Sequence, residues 1–278
     1  MRVTVLASGS SGNAILVEAA GTKILVDAGM PPRRLDLRLK NAGLGVSLED
    51  VQAVVCTHEH GDHGGGVPAL HSAGIAVHTT SGTARALHLP GAKLCAAGQP
   101  FELGALRIEP VAVPHDAAEP VAFVLSDGLA RVGVLVDCGH ADAELAETFA
   151  GCDLLVLEAN HDLDLLRAGA YPPTLKRRIA GHLGHLSNEQ AADMLRLMAR
   201  AARPRPLPRV LVLAHLSQQN NRPKLARAAI EKALPAVGKP QLILAPQERA
   251  TSPVEMEGGR IKILPEGSQR QLSLAFGD

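Results

Sequence analysis

Short apolar runs separated by turn-forming residues recur along the chain. Each run is too short for a buried helix and is bounded by Gly, Pro, Asn, Asp or Ser, which is the pattern of strands. The predicted strands are Arg2–Ala7, Ala14–Glu18, Lys23–Asp27, Val51–Cys56, Ile75–His78, Phe101–Leu103, Leu106–Val113, Val121–Ser126, Arg131–Val136, Leu154–Leu157, Val210–Ala214, Gln241–Ala245 and a hairpin over Val254–Leu264.

Longer amphipathic segments between these runs predict helices. A capping-box signature at Ser187 and Gln190 marks the start of one of them. The predicted helices are Pro31–Ala42, Val67–Ala73, Ser81 to near Leu89, about Ala141–Ala150, Tyr171–Ile179, Asn188 to about Ala202, and Pro223–Leu234. No weakly composed linker interrupts residues 1–264, so the sequence predicts one α/β domain over 1–264 and a tail over 265–278.

The predicted strands share one feature at their ends. Within a residue or two of the last apolar position, each of several strands is followed by Asp, His or Glu. A sheet can gather such groups from distant parts of the chain into one site. The positions concerned are Asp27, His58, His115, Asp137, Glu158 and His215.

The densest of these strand ends is the stretch from Cys56 to Gly66. It carries His58-x-His60-x-Asp62-His63 directly after an apolar run and before a Gly-rich turn. Imidazole and carboxylate donors together suit zinc, manganese or iron and leave room for a water ligand. A solvated loop that is merely rich in histidine is the alternative, and four fixed positions after a strand argue against it.

Composition narrows the class of protein. The 278 residues are enough for a substantial core, and aromatic residues make up only 2%, which disfavours a base-stacking platform for single-stranded nucleic acid. Lys+Arg and Asp+Glu both number 28, so overall charge predicts no polyanionic partner. Four dispersed cysteines and the lack of a leader or apolar membrane span favour a cytoplasmic protein.

The ordered motifs carry a family resemblance over residues 1 to about 264. Asp27, His58-x-His60-x-Asp62-His63, His115, Asp137 and His215 follow one another as in the metallo-β-lactamase-fold hydrolases. Longer stretches resemble the YycJ/WalJ exonuclease group within that superfamily and, in the last motifs, tRNase Z. These stretches are Ser8–Asn13, Pro114–Pro120, Glu158–Asp162, Gly184–Asn188 and Ala214–Ser217.

This resemblance implies a fold and a set of metal ligands. The fold is a four-layer αββα sandwich with its site along one edge. Two divalent metal ions, zinc or manganese, are implied. The first would be held by His58, His60 and His115, the second by Asp62, His63 and His215. Asp137 would bridge both ions, and Asp27 would support a ligand from behind.

The same resemblance implies the chemistry. Asp62, Glu158 and His185 would be catalytic, with His185 as the general acid and Glu158 holding it. The YycJ/WalJ group that the chain resembles looks like exonucleases that degrade double-stranded DNA from the 5′ end, in replication or repair. Candidate contacts to phosphate are Ser10, Ser11, Asn13, Asn220 and Asn221. For His140, His161 and His182, substrate contact and an ordinary loop position stay open.

The tail carries a second resemblance. Gln271-Leu272-Ser273-Leu274-Ala275-Phe276 is similar to the hexapeptide with which bacterial DNA-processing proteins bind the replicative sliding clamp. Gln271, Leu272, Leu274 and Phe276 occupy its defining positions, and alternating apolar anchors suit capture in a groove. A terminal strand that folds back on its own sheet is the alternative.

Two rival functions remain at this stage. A small-molecule hydrolase on the same fold, such as a thioesterase or a cyclic phosphodiesterase, fits the zero net charge. A non-catalytic binding protein would be of a different class, but it has no use for seven metal-coordinating side chains and a proton donor. The pairing of Glu158 with His185, together with the tail, favours the nuclease.

Overall fold

The computed structural model describes residues 1–201, 204, 207–237 and 239–265. The strands are Arg2–Ala7 (β1), Ala14–Ala19 (β2), Thr22–Val26 (β3), Ala53–Val55 (β4), Ala76–Thr79 (β5), Lys93–Leu94 (β6), Phe101–Leu103 (β7), Leu106–Ala112 (β8), Val121–Ser126 (β9), Arg131–Leu135 (β10), Leu154–Glu158 (β11), Val210–Ala214 (β12), Gln241–Leu244 (β13), Val254–Glu257 (β14) and Arg260–Ile263 (β15).

Helices lie between these strands. They are Pro32–Asn41 (α1), Gly61–Gly64 (α2), Val67–Ser72 (α3), Ser81–Ala86 (α4), Ala143–Phe149 (α5), Leu163–Ala168 (α6), Pro173–Ile179 (α7), Asn188–Met198 (α8) and Pro223–Val237 (α9), with a 3-10 turn at Leu48–Asp50. No described helix is both long enough and apolar enough to span a membrane.

Within the described residues, the strands form two mixed sheets. One follows the order β15-β14-β1-β2-β3-β4-β5-β6 and the other β13-β12-β11-β10-β9-β8-β7. The chain's first strand pairs antiparallel with β14, so residues from both ends of the chain meet in one sheet.

Three apolar clusters fix the order of the layers. Alternate residues of both sheets, such as Ile24 and Val212, pack together between the sheets. The opposite face of the second sheet packs on α5, α8 and α9, through residues such as Leu155. The opposite face of the first sheet packs on α1 and α3, through residues such as Leu25. Both faces of the central strands are therefore buried, which explains their unbroken apolar runs, and the predicted αββα sandwich is confirmed.

The predicted elements exist with small changes at their ends, and several were missed. No sequence pattern predicted β6, α2, α6 or the 3-10 turn. Helix α2 begins and ends in glycine, which reads as a turn because glycine is a poor helix former. Two helices stop earlier than expected. Helix α4 ends at Ala86, before His88 adopts a left-handed φ of 53°. Helix α8 has the predicted capping box at Ser187 but ends at Met198.

Candidate metal centre

Three site residues leave their strands with a left-handed backbone. Asp27 follows β3 with φ 61°, Asp137 follows β10 with φ 54°, and His215 follows β12 with φ 54°. This region is disfavoured for residues with a side chain, at a cost of about 1–3 kcal/mol each, and is kept where the surroundings impose it. The kinks turn the three side chains toward the same edge of the sandwich, where their polar atoms meet.

The loop from His58 to His63, here called the histidine loop, packs against the backbone that follows β3. Ala28 N donates to His63 O at 2.9 Å, and Asn13 N donates to Asp62 O at 2.7 Å. A Cβ at Gly29 would lie 1.7 Å from Asp62 O, so only glycine allows this approach. The loop that carries His58 to His63 is thus held by main-chain contacts on a rigid sheet.

Asp137 lies at the centre of the polar cluster. Its Oδ2 is 3.4 Å from His58 Nε2, 3.1 Å from His63 Nε2 and 3.6 Å from His115 Nε2. Beyond His63, Asp62 Oδ2 lies 3.2 Å from His215 Nε2. Three sets of side chains within the described residues present donor atoms close enough to share a cation. They are His58, His60, His115 and Asp137; Asp62, His63, Asp137 and His215; and Asp137, Glu158, His185 and His215.

Most of the imidazoles are oriented from behind through Nδ1. The partner of His63 is Asp27 Oδ2 at 2.7 Å, and the partner of His115 is Gly184 O at 3.0 Å. His58 Nδ1 lies 2.9 Å from Thr57 Oγ1, and Asp27 itself accepts from Thr57 N. Partners of this kind fix the ring and leave Nε2 for a metal. His60 is turned the other way, with Nδ1 3.2 Å from His115 Nε2.

The donor set fits a divalent cation. His58 Nε2 is buried and has no hydrogen-bond partner among the described residues, although buried polar atoms are normally paired. All the inward-facing atoms are nitrogen or oxygen, a set that accepts zinc and manganese alike. The unsatisfied nitrogen beside a buried carboxylate is what a metal-ligand position requires.

Glu158 ties this cluster to His185. The carboxylate is fully buried at the end of β11, and Oε2 accepts from Cys138 N at 3.1 Å and Leu186 N at 3.0 Å. Its Oε1 lies 2.8 Å from His185 Nδ1 and 3.0 Å from His215 Nδ1. The family resemblance implied the pairing with His185, whereas the link to His215 is visible only in the structure.

Electrostatic interactions within the pair lower the pKa of Glu158 and raise the pKa of His185. Burial by itself raises the pKa of Glu158, but His185 and His215 outweigh it and hold that pKa at about 2. Burial by itself lowers the pKa of His185, but the carboxylates of Glu158 and Asp137 raise it to about 10. A positioned imidazolium with Nδ1 engaged has its Nε2–H left for another acceptor.

The remaining histidines divide into two electrostatic groups. Burial lowers the pKa of His58 and brings the pKa of His115 to about 4, so both are neutral near neutral pH. Burial opposes protonation of His63 and His215 too, but nearby carboxylates, led by Asp137, raise the pKa of His63 to about 10 and that of His215 well above its usual value. His58 and His115 can therefore coordinate a cation directly, whereas His63 and His215 must first lose a proton.

We therefore expect metal binding to release protons and to weaken as the pH falls. His63 and His215 must be neutral before they can coordinate a cation, so near neutral pH binding expels at least one proton. Affinity then rises with pH until His63, with its pKa of about 10, is neutral. Calorimetric titration of the metal-free protein with zinc, in two buffers of different ionisation enthalpy, measures the protons released. Identical heats in both buffers would contradict the protonation of these histidines.

The predicted phosphate contacts fall into two classes. Ser10 and Ser11 are exposed, whereas Asn13, Asn220 and Asn221 are buried. Asn13 Oδ1 accepts from Gly9 N at 2.7 Å, and Asn221 Nδ2 donates to Ala159 O at 2.8 Å. The side-chain amides of Asn13 and Asn221 therefore form hydrogen bonds within the protein. The predicted clamp-binding residues lie outside the described part of the chain.

Cys138, which follows Asp137 in the chain, and the three histidines left open by the sequence lie among other protein groups. Cys138 is buried in the apolar cluster of the second sheet, and burial raises the pKa of its thiol. His140 and His182 form an edge-to-face pair at 4.8 Å between ring centroids, and His161 is fully buried. Sequence reasoning missed Thr57 and Ser8, whose Oγ accepts from His215 N at 2.7 Å. Thr57 carries no spacing signal, whereas Ser8 is the first residue of the Ser8–Asn13 stretch, in which no role was predicted for it.

Comparison with known proteins gives consistent results. A family profile described as "Beta-lactamase superfamily domain" matches residues 22–216. The chain is 33% identical over 246 residues to exodeoxyribonuclease YycJ of Bacillus anthracis, covering 86% of this chain and 90% of that protein.

Solved structures share the architecture. The metallo-β-lactamase fold protein YhfI of Bacillus subtilis aligns with a TM-score of 0.68 at 17% identity, over 90% of this chain and 98% of that one. The short form of human tRNase Z aligns with a TM-score of 0.59 at 19% identity, over 91% and 99% of the two chains. At such identities the likeness concerns the fold.

Proposed function

The chain belongs to the beta-lactamase superfamily, in the group of exodeoxyribonuclease YycJ, and is a metal-dependent hydrolase; on this premise we propose that it hydrolyses phosphodiester bonds in DNA. The observation that carries the proposal is the contact of 2.8 Å between Glu158 and His185 at the edge of the metal-ligand cluster. Breaking a phosphodiester leaves an alkoxide that needs a proton, and this pair can supply it.

In this proposal the catalytic domain is residues 1–264, and two divalent ions, zinc or manganese, share its site. The first ion would be held by His58, His60 and His115 and the second by Asp62, His63 and His215, with Asp137 between them. When bound, such ions make hydroxide available at neutral pH and offset negative charge on a phosphoryl oxygen. Asp27 keeps His63 in the ligating orientation through their contact of 2.7 Å.

His185 is the proton donor in this proposal. Its side chain is 13% exposed while Glu158 is fully buried, so the imidazole is the member of the pair that a substrate can reach. With Nδ1 held by Glu158, Nε2 carries the proton that the leaving oxygen takes. The same hydrogen bond keeps the ring in place as the proton leaves.

DNA as the substrate rests on the relatives, whereas its double-stranded form and the direction of digestion rest on the family resemblance of the sequence motifs. YycJ of Bacillus anthracis is named an exodeoxyribonuclease, and we propose the same reaction here, on double-stranded DNA in the 5′-to-3′ direction. A zero net charge makes a small-molecule hydrolase the second candidate, since long-range attraction of a polyanion is absent.

Duplex DNA labelled on either end of one strand tests the proposal. With manganese or zinc present, the 5′ label should appear first in the shortest products, while 3′-labelled strands shorten progressively. The reverse order would overturn the polarity. Turnover of a thioester or a cyclic dinucleotide, without cleavage of any DNA or RNA, would overturn the nuclease proposal and favour the second candidate.

We propose the bacterial sliding clamp as a protein partner, through Gln271, Leu272, Leu274 and Phe276. A chain truncated after Arg270 should lose clamp binding in a pull-down and keep its activity on short duplexes, because the motif lies beyond all the proposed metal ligands. A full-length variant with Gln271→Ala and Phe276→Ala is the matched control for loss of the whole tail. Equal clamp binding by the truncated and complete chains would contradict the proposal.

A further inference from the structure

The positively charged side chain of Arg178, on the last turn of α7, lies next to the metal centre. Arg178 donates through Nε to Asp116 Oδ2 and through Nη2 to Asp116 Oδ1 at 3.0 Å. Asp116 Oδ1 in turn lies 3.5 Å from His115 Nε2, the nitrogen that faces Asp137. A single carboxylate group therefore separates the guanidinium from a proposed ligand atom, and 49% of the arginine side chain is open to solvent.

The backbone around Arg178 is locked to the proton donor. His185 N donates to Ile179 O at 2.9 Å, and Asp116 N donates to Leu183 O at 3.1 Å. A Cβ at Gly184 would lie 2.2 Å from the carbonyl oxygen of Arg178. The segment from Arg178 to His185 therefore holds a cation and a general acid in a fixed relation, as a preorganised site requires.

The charge of Arg178 acts on the centre as well as on Asp116. Hydrogen bonding to Asp116 is the main reason why the pKa of Arg178 is raised, and the carboxylates of Asp137 and Asp62 add to it. A solvent-exposed ion pair contributes little to stability, so folding alone does not account for the pair. Asp116 uses two of the five guanidinium N–H groups, and the planar fork of the others matches a phosphate.

We infer that Arg178 binds a backbone phosphate of the nucleic acid next to the scissile bond, and that Asp116 positions it. This inference rests on the proposed nuclease function. It adds a substrate contact that neither the strand-end residues nor the family resemblance predicted. Arg177, its exposed neighbour, leaves the helix about 100° away and serves as the matched control.

Binding of a short fluorescein-labelled duplex to the chelator-treated protein tests the contact without turnover. Arg178→Ala should weaken binding and reduce the slope of log affinity against log salt by about 0.9, the value for one duplex phosphate. In the metal-loaded protein its KM for the duplex should rise about tenfold. Arg178→Lys, which keeps the charge but loses the fork, should restore the slope and part of the KM. Arg177→Ala should match the unchanged protein in both measurements.

The outcomes separate this inference from the proposed function. If the unchanged protein cleaves duplex DNA but Arg178→Ala keeps the same salt slope and KM, the phosphate contact is wrong and the nuclease proposal stands. If Arg177→Ala lowers the slope equally, the effect is a general loss of charge and the specific contact is also wrong. If the unchanged protein cleaves no nucleic acid, the proposed function fails first. Melting temperature and metal content show whether Arg178→Ala is folded, and Arg178→Lys provides the test if it is not.

Discussion

Asp137→Asn is expected to lose bound metal and phosphodiesterase activity together. The side chain of Asp137 is 2% exposed, and burial alone would raise its pKa, but His215 and His63 lower it well below the usual range. An amide of the same shape removes the negative charge that faces these histidines and the shared position between the two proposed ions. A loss of about 4 kcal/mol of transition-state stabilisation corresponds to about a 10³-fold slower reaction, and we expect at least that.

Elemental analysis and a labelled-duplex assay measure the two effects. Asp127→Asn is the matched control, because Asp127 accepts hydrogen bonds in a turn away from the cluster and its variant should keep both metal and activity. A fully metal-loaded Asp137→Asn protein would show that the aspartate does not join the ions.

His185→Ala is expected to slow DNA cleavage about 10²–10⁴-fold, the usual contribution of a general acid, while metal content stays near that of the unchanged protein. The proposed ligand His215 keeps its own contact with Glu158, and Glu158 keeps its two backbone hydrogen bonds. The variant should also lose the fall in rate at high pH that deprotonation of His185 causes.

A substrate with a good leaving group separates proton donation from other roles. Bis(p-nitrophenyl) phosphate releases a phenolate that needs little protonation, so His185→Ala should slow its hydrolysis far less than that of DNA. Glu189→Ala, at an exposed position in the first turn of α8, should affect neither substrate. Loss of metal in His185→Ala, or an equal loss of rate on both substrates, would contradict the general-acid role.

The sequence predicted the strands and the strand-end residues because those signals are local, whereas the order of the layers was implied by the family resemblance. An apolar run followed by Asp or His can be read directly, and Asp27, Asp137 and His215 lie at strand ends as expected. Contacts between residues far apart in the chain left no such signal. The bond between Ser8 and His215 and the ion pair between Asp116 and Arg178 depend on how separate elements pack.

Burial also divided residues that the sequence treated alike. Ser10, Ser11 and Asn13 stand in one turn-rich stretch, but only the serines are exposed. A polar side chain in such a stretch can face solvent or support the backbone. The choice for Asn13 is made by the histidine loop packed against it, where Asn13 N donates to Asp62 O.

The single oxygen of Glu158 that contacts both His185 and His215 makes two properties of the protein inseparable. Any change that strengthens its hold on one imidazole alters the basicity of the other, since both interact with the same buried charge. A substitution that shifts the working pH through this carboxylate is therefore expected to shift the affinity for the ion proposed at His215 as well. Changing the working pH without changing the metal affinity requires substitutions on the solvent-facing side of His185, away from Glu158.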